Sequence, residues 1–404
     1  MKEKYKYQYS YFVLPFVYNM EYEKYIEKLV KSKKAETRIF EQVKDLEIYS
    51  FFKEEILKNI FYNIDENEWT GKTDQEKITF LTKKDVAIFS YDFFKDEEKE
   101  KENDLEKNSI NFNYEGAELF VFKTGISIII LKTVITDTKD LGDVLDFNCR
   151  FKTLISDESV IKKLDNIQLN MNEGYSIIQF KNLLKEFILE NAKDDKKSIN
   201  NFYTFSYLCV DNMVWNEATD EKEISKILYK YMRVFTSTYD TDALISENMI
   251  TKILDELRYT KIAVSKISSV LISSGVDPYN FTILPRRYET QMLYTYIIAL
   301  YQKKYLEKLN TEIAISDRHR KFKEFNNKFW YQEITLSEKG TNYYNSLKEV
   351  LETNELYNEV SSKYNIIYRY NELEKSSSKN TKLTILLSIS VIINIILIAI
   401  KYWH

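Results

Sequence analysis

The chain has 404 residues, 58 Lys and Arg against 62 Asp and Glu, with 44% hydrophobic and 30% charged residues. That balance supplies a packed core, excludes a disordered chain and gives no global charge argument for nucleic acid. Seven Gly, three Pro, two Cys and two His argue against a loop-built enzyme, a disulfide framework and a zinc site, while 32 Tyr and 24 Phe abound.

The basic amino terminus, Met1 to Lys6, precedes only a short apolar run and no small-residue cleavage site, so a signal peptide is not expected. Tyr9–Tyr18 reads as an edge or first strand interrupted by Pro15. Ala35–Ile64 carries apolar residues at Ile39, Val43, Leu46, Phe51, Ile56 and Ile60, a helical pattern. Gly71-Lys72-Thr73 resembles the end of a phosphate-binding loop, but Glu66 stands where that loop needs a glycine. Within Lys77–Phe94 a short helix or strand leads to a strand at Val86–Tyr91, and the charged run Lys95–Lys107 reads as a solvated loop.

The best local signal is a hairpin. Glu118–Phe122 and Ile126–Val134 flank the turn Lys123-Thr124-Gly125, and the second run is apolar enough for a sheet covered on both faces. Cys149 and Cys209 both sit in hydrophobic, strand-like settings and are expected as buried thiols. Helices are expected at Ser156–Leu164, Tyr175–Asn191 and Glu221–Arg233, with a strand at Phe202–Val210. Ile250–Leu284 resists division, apart from a loop at Asp277-Pro278. Pro285 suits a helix start, and that helix should run to about Ile313, with a further helical piece over His319–Trp330.

From Ser337 onward Tyr343, Leu347, Val350, Tyr357, Val360, Tyr364 and Ile367 form one helical stripe. A helix from Thr341 to Ser376 would make a stalk of about 54 Å. Leu383–Ile400 is then an uncharged run dominated by Ile and Leu, preceded by Lys375, Lys379 and Lys382 and followed by Lys401, Tyr402 and Trp403. At about 27 Å it matches the bilayer core, and the cations place its amino-terminal end on the cytoplasmic side as a tail anchor.

Two stretches, Leu300–Leu309 and Tyr370–Thr384, together with the order of elements, resemble the CorA-type divalent metal-ion transporters. The resemblance implies a mixed α/β cytoplasmic domain, antiparallel helices, a long stalk and a funnel-shaped pentamer. The Gly-Met-Asn signature and second membrane helix of that family are missing, so none of its ion-binding residues is carried over.

The expected fold class is therefore an α/β or α+β cytoplasmic domain, a mixed sheet covered by helices, over 1–284. A helical hairpin and stalk would follow over 285–376, and a transmembrane helix over 383–400. The expected function is a membrane-anchored, homo-oligomeric, non-enzymatic sensor or effector without a cofactor. The alternatives are an ion-conducting bundle of single spans and a tethered module binding a nucleotide or protein. Ser390 and Asn394, four apart, would line such a pore or join helices. Arg318, Arg320, Lys321 and Lys323 are the candidate anion-binding residues, and Arg286 with Arg287 flank a helix start where an ion pair is expected. His319, the only internal histidine, stands among cations, and clusters such as Asp96-Glu97-Glu98 and Asp194-Asp195 read as surface charge.

Overall fold

The computed structural model describes residues 4–99, 109–156, 166–172, 174–193, 199–241, 252–311 and 315–366, with scattered positions between and beyond them. It divides into two compact units, Met1–Lys308 with Tyr331–Thr353, and Leu309–Trp330 with Asn354–His404.

The first unit is a mixed α/β fold. Its strands are β1 (Tyr5–Val17), β2 (Ala35–Thr37), β3 (Val86–Tyr91), β4 (Ile110–Phe122), β5 (Ile126–Ile135), β6 (Leu169–Met171), β7 (Tyr203–Val210), β8 (Lys252–Leu257), β9 (Thr260–Val264) and β10 (Ser268–Ser274). They join one sheet in the order β2-β3-β4-β5-β1-β7-β10-β9-β8, with β6 attached to β4. Among the described strands only the β10–β7 and β4–β6 pairs are parallel.

The period of two along β1 sorts its side chains between two cores. Phe12, Leu14 and Phe16 face a layer made by α1 (Tyr22–Lys31), α6 (Leu141–Lys152), α7 (Ile177–Asn191) and α8 (Glu221–Arg233). Phe12, for example, stacks on Phe151 with ring centroids 4.2 Å apart. Tyr9 and Tyr11 face the other side, where a helical run covers the sheet: α10 (Leu284–Arg287), a π-helical turn (Tyr288–Met292) and α11 (Leu293–Thr311), joined there by α13 (Glu338–Val350). Phe205 stacks on Tyr288 at 4.4 Å and Phe122 on Tyr301 at 3.8 Å. This second core absorbs many of the tyrosines because their hydroxyls find partners. Tyr9 donates to the Pro285 carbonyl at 2.9 Å, Tyr343 pairs with Ser269 at 2.6 Å, and Tyr344 donates to Gln302 at 2.8 Å.

Several expectations need correction. Of the two readings of Tyr9–Tyr18, the first strand holds and the edge does not: β1 is interior to the sheet, and Pro15 is tolerated because β7 pairs only as far as Val13, leaving β1 a single neighbour there. Ala35–Ile64 is not one helix. It opens with β2 and continues as two short helices, α2 (Leu46–Tyr49) and α3 (Glu54–Asn59). Val43 and Leu46 are exposed while Phe51, Ile56 and Ile60 are buried, so the apolar residues at helical intervals do not share one covered face; Phe61 instead gathers Phe40 and Phe52 around its ring. Gly71-Lys72-Thr73 is the turn between α4 (Glu66–Thr70) and α5 (Asp74–Leu81); Thr73 and Glu76 form a capping box there.

β4 begins eight residues before the expected hairpin, at Ile110, and Ile250–Leu284 resolves into β8, β9, β10 and the short α9 (Tyr279–Thr282). Cys209 is buried, but Cys149 lies on α6 and is half-buried. The stripe of the last helix does bury Tyr343, Leu347, Val350, Val360 and Tyr364. It is not continuous: α13 ends at Val350, Leu351 and Glu352 form a turn with Glu352 at φ 56°, and helix resumes over 353–366.

The second unit pairs α12 (Ile315–Lys328) with residues 354–366 through aromatic stacking. Trp330 lies flat on Tyr357 at 4.1 Å, Phe322 stacks on Tyr364 at 4.8 Å, and Tyr357 donates to Asn326 at 2.5 Å. Among the described residues no helix is long and apolar enough to cross a membrane, and most of Leu383–Ile400 lies outside them.

Candidate functional site

Two irregularities in regular structure converge on one ionic cluster in the first unit. The first is a β-bulge in β4, where the register shifts between Tyr114 and Gly116. Gly116 has φ 111°, a conformation that favours glycine, and it stands opposite Lys132 of β5. The second is the π turn, which carries Glu289. Bulges and π turns re-aim side chains and recur next to functional sites.

Lys132 is the only charged residue in β5. Its Nζ lies 3.2 Å from Glu118 Oε1 and 3.6 Å from Glu289 Oε1, and 5.6 Å from the centre of the Tyr11 ring. Tyr11 donates to Glu289 at 2.8 Å, and Tyr294 of α11 donates to Glu118 at 3.3 Å. Arg38, in the segment after β2, bonds Asp45 at 2.8 Å and stacks over Phe40 at 4.9 Å. Glu118 is 7% exposed, so its charge is compensated by these neighbours and not by bulk water.

Burial opposes the charge of Lys132, but Glu118 and then Glu289 outweigh it and hold the ammonium above its ordinary pKa. Burial pushes the Tyr11 and Tyr294 phenols well up, and the adjacent carboxylates Glu289 and Glu118 push them further. Each of these three groups is thereby fixed in its protonated form. Lys132 serves as a cation and donor, not a free amine nucleophile, and the phenols serve as donors.

Above the bulge a cavity of about 450 Å³ opens, with Lys132 and Glu118 at its lining and Lys34, Lys95, Glu36 and Glu115 around them. Lys34 bonds Glu97 at 2.6 Å, which accounts for part of the acidic run seen in the sequence. Among the described residues no group of three or more His, Cys, Asp or Glu is placed to hold a metal ion.

The candidate residues read from the sequence fall elsewhere. Arg318, Arg320, Lys321 and Lys323 all lie on α12 of the second unit, as does His319; Arg320 and Lys323 are exposed and Lys321 is half-buried. Ser390 is helical and exposed, while Asn394 lies outside the described residues, as do Asp194 and Asp195. Arg286 makes the expected ion pair, its Nε 3.8 Å from Glu47 Oε1. The Glu118–Lys132–Glu289 cluster was missed because its members are far apart in the chain. The available signal was a lone charge inside the apolar run Ile126–Ile135, with a charge of opposite sign at the head of Glu118–Phe122 in the same hairpin.

No family model matches the chain, and no curated protein or solved structure matches it.

Proposed function

We propose that this chain is a membrane-tethered, non-enzymatic binding module that acts as a sensor or effector from the cytoplasmic side. The α/β unit recognises a polar ligand or partner in the groove above Lys132, and the C-terminal apolar run holds the protein in the bilayer. The carrying observation is Leu383–Ile400, eighteen residues without a charge between Lys382 and Lys401. The cluster supports binding over acid–base chemistry, because its lysine and both phenols are held in single protonation states. A CorA-like oligomer, up to a pentamer, is part of the same reading and rests on the order of sheet, helical pair and apolar run.

The test is membrane retention after alkaline carbonate extraction, comparing the full chain with the variant Ile392→Lys/Ile396→Lys. Each lysine near the middle of a span costs about 3 kcal/mol on insertion scales. The full chain should stay in the membrane pellet and the variant should move to the supernatant. Equal partitioning of both would remove the anchor.

The spacing of Ser390 and Asn394 favours one second reading, an ion-conducting bundle of several spans. Liposomes carrying the full chain should then pass ions, and Asn394→Leu should cut the flux severalfold; no flux from either protein rejects the pore.

A further inference from the structure

On the face of the sheet that carries α13, a second cavity of about 170 Å³ has a largely apolar floor. Phe51, Ile262 and Leu271 are buried there, with Met292 of the π turn beside them. The charged residues lining it are Arg287 and Lys339, and no carboxylate lines it among the described residues. The cavity at the Lys132 cluster differs sharply, with four lysines and four carboxylates.

The two consecutive arginines are used differently. Arg286 is paired with Glu47. Arg287 has an exposed guanidinium with no carboxylate partner among the described residues. It donates to the Tyr279 hydroxyl at 3.1 Å, and its charge lies 6.0 Å from the centre of that ring. Tyr279 thus orients the fork at the rim while leaving further N–H donors open, the geometry that suits a carboxylate.

We propose that this cavity binds a compact organic carboxylate, its apolar body on Leu271 and Met292 and its charge on Arg287. Size limits the body to about six to eight carbons, since an apolar cavity of about 150 Å³ accommodates benzene. Charge selects an anion over an amine, because the charged residues that line the rim among the described residues are Arg287 and Lys339. The apolar floor selects an organic anion over inorganic phosphate. The site is separate from the Lys132 groove and does not depend on the anchor.

The experiment is calorimetric titration of the full chain in lipid nanodiscs with benzoate, benzylamine and inorganic phosphate. Benzoate should bind saturably, benzylamine should not, and phosphate should bind at least about tenfold more weakly. Arg287→Gln, at an exposed position, should weaken benzoate by about tenfold or more, and Arg287→Lys should fall between. Benzoate binding no better than benzylamine or phosphate overturns the proposal, as does unchanged affinity in Arg287→Gln or no benzoate binding at all.

Discussion

Glu118→Leu is expected to cost about 3 kcal/mol of folding stability, whereas the double variant Glu118→Leu/Lys132→Met should recover most of that loss. Removing one partner of a buried pair leaves a charge without compensation, typically at about 3–5 kcal/mol. Here Glu289, 3.6 Å from Lys132, retains part of the compensation, which places the expected loss at the lower end. Replacing both partners removes both desolvation penalties, and paired apolar replacements of similar volume are often neutral or better. Urea denaturation of the four proteins gives the coupling directly. A coupling of about 2 kcal/mol is expected, and additivity to within about 0.5 kcal/mol would show that Glu118 does not compensate Lys132. The pH dependence has a definite sign. The folded pKa of Lys132 is raised above its unfolded value, so the stabilisation is complete below the ordinary lysine pKa of 10.5. It is lost as pH rises through the folded value. Wild type should therefore lose its advantage over the Lys132→Met single variant on the alkaline limb, not on the acid limb.

What the sequence made legible follows from how far apart the deciding residues lie. The Gly125 hairpin, α7, α8 and β7 were readable because period, turn and cap are local; Ser176 and Asp220 even supply the N-caps of the two helices. β1 was readable as a first strand but could not be told from an edge strand, because Pro15 carries a local penalty that vanishes only once the length of β7 is known. Ala35–Ile64 looked helical because its apolar residues fall at helical intervals. The space they fill, however, is set by a distant residue, Tyr294, which packs on Phe61 at 5.0 Å. The early start of β4 was hidden by Asn111, Asn113 and Gly116, residues of low strand propensity held in place by β5 and β6. The ionic cluster is the extreme case. Residues 11, 118, 132 and 289 come together only through the register of three strands and one π turn, and Tyr294 follows from the helix after that turn. No spacing rule within a single segment contains that information.

Lys348→Met should stabilise the protein by about 2–3 kcal/mol at pH 7. Lys348 lies on α13 at 4% exposure, and burial lowers its pKa to about 8. The displacement from 10.5 corresponds to about 3 kcal/mol of penalty for carrying the charge into the fold at neutral pH. Its Nζ donates to the Tyr331 carbonyl at 3.4 Å and lies 5.2 Å from the centre of the Tyr344 ring. The Tyr344 hydroxyl lies 3.0 Å from that carbonyl and can turn its single proton to it from Gln302 once the ammonium is gone. Methionine keeps the length of the stem and fills the same channel without a charge. Below pH 8 the lysine is protonated in both states and the penalty is complete. Between about 8 and 10.5 the folded protein releases the proton while the unfolded chain keeps it, so wild-type stability gains with rising pH. The advantage of the methionine variant should accordingly be largest at pH 7 and below and shrink towards pH 10. Thermal or urea unfolding of both proteins at pH 7, 8.5 and 10 measures it, with the difference cancelling every group the two share. A variant less stable at pH 7, or a difference that stays level across that range, would mean that the ammonium contributes more through its contacts than its desolvation costs.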